Sequence, residues 1–323
     1  AGSITVNAFE DVDMSSNIAN VSIAAAPIGL AVGAATMLSR HTSRVVSRID
    51  QATVSGESVL VNAYGDLDIT RTQGTGITVG AIAVVVNVSN AEARGLVKAE
   101  VNDAVVTASD AVEVKARYDA LVRAATFGVS AGLGAVGAMN ASTQAGLGQD
   151  GDAHVNISGA SELKGVRVTV SAEVNSDLFT ATTVGGGGGF AGVGAVSRVD
   201  DDTTSLISVG AGTNVLATSV NIGASADRST DGTADAYAYA VASGAGAALY
   251  VNALGDARVE FAKSTDAEKT SIVGRSIQID SYNQTYKEHI ISSTPSSSSS
   301  FGLALADRNV SSGSASFFGM SIL

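Results

Sequence analysis

FGVSAGLGAVGAMNAST, residues 127–143, carries no charge and places Gly and Ala between larger apolar side chains until it reaches an Asn. Stretches of the same kind recur at 23–40, 77–90, 184–200, 237–254 and 301–309. A composition that returns at a nearly constant distance marks a repeat array, and repetition decides the fold before any local motif is read.

The register of the array is set by short alternating segments ahead of each stretch. They begin at Ser3, Ser58, Ala111, Arg167, Ser219 and Ser276, with spacings of 55, 53, 56, 52 and 57 residues. Their second and fourth positions are always Val or Ile: Ile4 and Val6, Val59 and Val61, Val112 and Val114, Val168 and Val170, Val220 and Ile222, Ile277 and Ile279. β-branched residues at period two predict a half-buried strand. Six copies make that prediction independently. The polar segments that follow, such as 71–76 and 227–233, predict loops. The uncharged stretches predict a second strand, whose glycines need another backbone close by. The polar groups at 87–90, 140–142, 198–202 and 252–256 predict the bend that ends it. A closing strand, clearest at 153–157 and 257–261, completes the unit. The serine tract 292–300 predicts a loop inserted in the sixth unit.

The fold expected is all-β, a parallel β-solenoid of repeats of about 54 residues. It forms one elongated domain with units 3–57, 58–110, 111–166, 167–218, 219–275 and 276–323, the last incomplete. Period alone leaves open whether a unit is one wide coil or two. The chain reads as a piece cut from a longer protein. Val112, Val114, Val136, Val168, Val170, Val220, Ile222, Ile277 and Ile279 are the expected core. Aromatics are only 5% and Trp is absent, so that core must be thin layers of aliphatic side chains. The absence of Cys excludes disulfides and thiolate metal sites. A net charge of −12 disfavours nucleic acid and anionic membranes and otherwise serves solubility.

The succession of a VxVxA strand, a Gly/Ala-rich stretch and an Asn or Asp corner resembles the repeats of very large bacterial filamentous adhesins. These are the leukotoxin-type adhesins and the haemagglutinin-like autotransporter passengers. The match is carried by Val112-Glu-Val-Lys-Ala116 with 132–140, and by Val220-Asn-Ile-Gly-Ala224 with 246–252. It covers essentially the whole chain. The resemblance implies an extracellular, surface-attached β-solenoid stalk that binds a glycan, host matrix or another adhesin, associates end to end and has no catalytic residues. Arg198 with 200–202, in place of the corner Asn, and the run 185–189 depart from the pattern.

Other chemistries find little support. Asp200, Asp201 and Asp202 with Asp177 suggest calcium, but consecutive residues of a strand alternate faces and cannot all meet one ion, so a solvated corner is expected. Asp150 and Asp152 are a weaker pair. Gly185–Gly189 lacks the Lys-Ser/Thr of a phosphate loop and predicts a flattened or bulged strand. His41, His154 and His289 share no spacing, which leaves neither a metal site nor a triad. Thr70-Arg-Thr72 is too isolated for an ice-binding face. The sequons at Asn20, Asn87, Asn140, Asn156, Asn283 and Asn309 matter only in a eukaryotic source. No catalytic residue, metal or cofactor is expected. Two alternatives stand beside the adhesin. One is a membrane-inserting, toxin-like segment, suggested by the uncharged runs 14–39 and 124–149; their Ser, Thr, Asn and Gly content and lack of charge asymmetry argue against insertion. The other is a β-helix carbohydrate-active enzyme, which would need two carboxyls about 5–10 Å apart in a groove.

Overall fold

The computed structural model describes residues 2–24, 29–146, 152–263, 268–296, 299–310, 314–316 and 321–322. Every regular element in these residues is a β-strand. In chain order they are β1 (Ile4–Ile23), β2 (Leu30–Asp50), β3 (Thr53–Val79), β4 (Ile82–Asn102), β5 (Val105–Ala145), β6 (Ala153–Ser158), β7 (Glu162–Asp201) and β8 (Ser205–Val209). There follow β9 (Asn214–Ala253), β10 (Ala257–Phe261), β11 (Ser271–Val273), β12 (Ser276–Ser296), β13 (Ser299–Val310), β14 (Ser314–Ser316) and β15 (Ser321–Ile322). All pairings are parallel, and together they form a large sheet of long strands wound as a β-solenoid.

The six opening segments pair with one another residue for residue. One column runs Ile4, Val59, Val112, Val168, Val220, Ile277, and a second runs Val6, Val61, Val114, Val170, Ile222, Ile279. Among the described residues these strands pair with copies one full repeat away and none with a copy half a repeat away, so one circuit of the backbone is one wide coil. Val112, Val114, Val168, Val170, Val220 and Ile222 are buried, and Ile277 and Ile279 pack against the same core.

Each coil folds back on itself once. Asn20 donates to the carbonyl of Ala34, Ser22 to that of Val32, and Thr182 to that of Val196. A Cβ on Gly128 would strike Met139, and one on Gly232 would strike Leu249. Within a coil such pairs share one midpoint, which lies in the first half of the uncharged stretch. The stretch therefore holds two facing arms joined by a tip. At the tip, backbone lies on backbone: a Cβ on Gly188, whose φ is 147°, would lie 1.5 Å from the Gly132 carbonyl oxygen. Only glycine fits there. The opposite end of the coil turns through one left-handed residue, Gln51, Asp103, Gly159 or Gly212.

Four local expectations give way to this arrangement. Residues 71–76 and 227–233 lie inside β3 and β9, and 87–90 and 140–142 inside β4 and β5, whereas β7 and β9 do end within 198–202 and 252–256 as expected. Most of the serine tract belongs to β12 and β13. Val136 is 49% exposed, because the narrow gap between the arms admits small side chains and turns large ones outward. Gly185–Gly189 is strand, as expected.

The larger change of length falls between strands, while the arms take up single steps locally. Between the second and third coils Ala93 pairs with Ala145 but Val97 with Ala153, so the third coil has four more residues between these paired positions. Single-step shifts occur elsewhere, as between Met14 and Ser15.

Val168→Asp or Ile222→Asp should lower unfolding free energy by several kcal/mol, because an unpaired charge would sit between layers. Thr169→Asp, one step along and facing outward, should cost under about 1 kcal/mol. Urea melts of the three variants check the assignment of faces.

Candidate functional site

Two polar regions stand out, one inside the coil and one on its outer surface. The inner one forms where the return arm leaves the ladder after β7. Backbone N–H groups lose their strand partners at such a corner and must find others. Asp201 supplies them: its carboxylate accepts from the Thr203 N–H at 3.1 Å and hydroxyl at 2.7 Å, and from the Ser176 hydroxyl. Asp152 does the same for the Thr204 N–H at 2.8 Å. Both carboxylates are buried. The expectation of a solvated 200–202 corner therefore holds for only part of it. Asp200 pairs with Arg198 and Asn252, Asp202 is exposed, and Asp201 points inward. The three do alternate faces.

Arg228 enters this interior from β9 with none of its surface exposed. It donates to the Thr203 carbonyl at 2.9 Å and to Asn283, while its Nε has no partner. Burial pulls its pKa down, against the attraction of Asp201, Asp256 and Asp202. Burial likewise pushes the Asp201 carboxyl up, opposed by its hydrogen bonds and by Arg228. Tyr118, fully buried above them, is pushed well up by burial and by Asp152 and Asp201. Arg228, Asp201, Asp152 and Tyr118 are all buried, so these groups meet one another and not solvent.

The outer region lies on the first arm. Parallel register stacks Asp11, Asp66, Asp119, Asn175 and Asp227 in one column, and Asp13, Asp68, Leu121, Asp177 and Ser229 in the next. Asp68, Asp119, Asn175, Asp177 and Asp227 of these columns, with Tyr286, border an open groove of about 410 Å³. Tyr64 bridges the stack by donating toward Asp66 at 3.0 Å and Asp119 at 2.8 Å. Its ring stacks on Phe9 and lies under Arg117, which pairs with Asp119. Burial first, then repulsion from Asp66, Asp13, Asp11 and Asp119, raises the Asp68 carboxyl. Periodicity of the unit was the signal that could have found this ladder, since aspartate recurs at matched positions in four units.

The remaining sequence candidates stay apart. His41 meets Glu10 at 3.1 Å, and His154 meets Ser208 at 3.1 Å one strand over. His289 lies in β12, its side chain outside the described residues, as is Asp150. Among the described residues no three His, Asp or Glu side chains gather to hold a metal, and no helix is long and apolar enough to cross a membrane.

Comparison with family models, with curated proteins and with solved structures finds no match to this chain.

Two outcomes test the electrostatics. Arg228→Met should cost about 3–5 kcal/mol by leaving buried carboxylates without a counter-charge, and Asp201→Asn in the same chain should restore more than half of it. Chemical denaturation of the single and double variants measures the coupling. For Asp68 the folded pKa lies above the unfolded value of about 3.9, so its ionisation opposes folding at neutral pH. Stability from this group should be regained as pH falls through the window just above that value. Asp68→Asn should therefore raise Tm by about 1 °C at pH 7 and low salt, with the gain fading at high salt or near pH 4.

Proposed function

We propose that this chain is a non-catalytic structural repeat segment of a secreted or surface-anchored bacterial adhesin, contributing to attachment or cell–cell contact. The observation that carries the reading is the parallel pairing carried through successive coils, with grooves that lie open on its surface. A solenoid of this kind grows by adding coils, each stabilised by its neighbours. It presents side-chain columns to large partners such as a glycan, host matrix or another adhesin.

The geometry sets the manner of contact. Each coil adds about 4.8 Å of height, whereas the 27 residues of β3 alone run up to about 90 Å. Reach accrues slowly in such a body and surface accrues quickly. The binding element is then the broad side of the coil stack, and avidity rises with the number of coils in contact.

The carbohydrate-active alternative has one observation in its favour. Asp119 and Asp177 lie diagonally on neighbouring strands beside the acidic groove, a placement that sets the two residues roughly 7–8 Å apart. Asp119 is, however, held by Tyr64, Asn175 and Arg117, which leaves it poorly placed to exchange a proton.

Incubation with a panel of polysaccharides should release no reducing ends, while surface-immobilised glycans or matrix proteins should retain the chain more strongly as coils are added. Turnover that disappears in Asp119→Asn or Asp177→Asn would overturn the proposal in favour of the enzyme.

A further inference from the structure

Arg71 sits where the ladder breaks step. Ile69 pairs with Val122 and Thr72 with Ala124, so Thr70 and Arg71 stand opposite the single residue Arg123. Toward the first coil Met14 pairs with Ile69 and Ser15 with Arg71, so that coil lacks the extra residue as well. Ile69 and Thr72 are buried, and both residues between them turn outward. The third and fourth coils carry one outward residue there, Arg123 and Phe179. A bulge of this kind re-aims a side chain. Here it sets two arginines beside each other on strands about 4.8 Å apart, an arrangement that like charges disfavour.

Elsewhere the chain neutralises surface cations two residues further along the same strand. Arg48 meets Asp50, Arg117 meets Asp119 and Arg198 meets Asp200. Arg71 makes the same contact with Gln73, whose Oε1 accepts from Nε at 2.6 Å and from Nη2. An amide in place of a carboxylate keeps the hydrogen bonds that orient the guanidinium and withholds the charge. Other donors of the fork remain for a further acceptor. Among the described residues Arg71 forms no ion pair, and Arg123 has only Asp177, at 3.7 Å the longest ion pair there.

Arg71, Gln73, Arg123 and Phe179 border an open groove of about 550 Å³. We propose that this groove binds the carboxylate or sulfate groups of an acidic polysaccharide, with the anion held between Arg71 and Arg123. The inference rests on the reading of the chain as a glycan-contacting segment and names where that contact is made. An anion here removes the repulsion across the bulge and accepts paired hydrogen bonds from two planar forks, the geometry that arginine offers to oxyanions. Phe179 stands next to Arg123 on the following strand and gives the groove an apolar wall for the C–H face of a sugar. An acidic peptide suits the place less well. Extended peptides bind by adding a strand to a free edge, and β3, β5 and β7 are each bonded on both sides. The net charge of −12 does not forbid an anion. At physiological salt, exposed charges more than about 8 Å away are largely screened, so the local pair decides.

Calorimetric titration of the full chain at about 0.15 M salt with polygalacturonate, dextran sulfate, uncharged dextran and poly-glutamate tests the proposal. At least one of the first two should bind and dextran should not; the preferred polymer identifies the group as carboxylate or sulfate. Arg71→Gln and Arg123→Gln should each weaken binding at least about tenfold, the loss of one charge-assisted pair. Gln73→Glu should do the same with both arginines intact, because it supplies the carboxylate found beside the other surface arginines. Arg44→Gln removes an exposed cation on β2, away from the groove, and should leave binding within about twofold. All four variants should melt within about 2 °C of the parent, as surface substitutions do. Failure of both acidic polysaccharides to bind would overturn the proposal. So would binding that Gln73→Glu and the two groove-arginine variants leave unchanged. Poly-glutamate bound as tightly, with the same dependence on Arg71, would assign the groove to a peptide instead. Retention on neutral glycans or matrix proteins without polyanion binding would remove this site and leave the adhesin reading standing. Cleavage of a polysaccharide bound here would keep the site and overturn the non-catalytic reading.

Discussion

The parallel, in-register ladder is the constraint on which everything else here depends. Once the opening strands pair at one residue per step, the backbone groups of each arm are bonded to the coils above and below, and side-chain direction is fixed by parity. Columns of like residues follow. For Val and Ile this is favourable, because β-branched side chains stack without losing much freedom. For aspartate it is not, because carboxylates then repel at the strand spacing. The chain relieves that repulsion locally: Asn175 and Leu121 interrupt the two acidic columns, and Tyr64 and Arg117 bridge what remains.

Near the tip the usual distribution of polarity is reversed. Thr78, Asn87, Ser89, Thr126, Ser130 and Thr182 are buried, whereas Val21, Ile23, Leu133, Phe190 and Val241 are exposed. The cause is geometric. Two arms that meet at a glycine tip leave little room between them, so Ala, Gly, Ser and Thr fill the gap and bond across it, as Ser197 does with Thr182. Large side chains have only the outer faces left. Further from the tip the gap widens, and Val, Ile, Leu and Tyr118 return to the inside.

This reversal explains what could and could not be read from the residues. The opening strands were legible because the wide part of the coil obeys ordinary alternation, with Val and Ile in and polar residues out. The tip was not, because its glycines resemble the glycines of any strand, and Asn87 resembles a turn residue while lying inside β4. Val136 misled for the same reason: the larger residue of an alternating pair belongs inside only where the inside is wide. Residues 71–76 read as loop because inner Thr72, Gly74 and Gly76 are as small and polar as turn residues. The inward placement of Asp201 depends on the corner that follows it and on Arg228 one coil away, a relation no local pattern displays.

The uneven corner between Gly146 and Asp152 has an evolutionary meaning. An arm that gained one residue would turn every side chain beyond it to the opposite face unless the extra residue were taken up locally, as it is between Ile69 and Thr72. The corner accepts four residues without disturbing Ala145 before it or Ala153 after it, both of which keep their columns. Novelty in a molecule of this design therefore enters at its bends. A foreign segment grafted between Gly146 and Asp152 would join two strands whose pairing was fixed before the graft arrived.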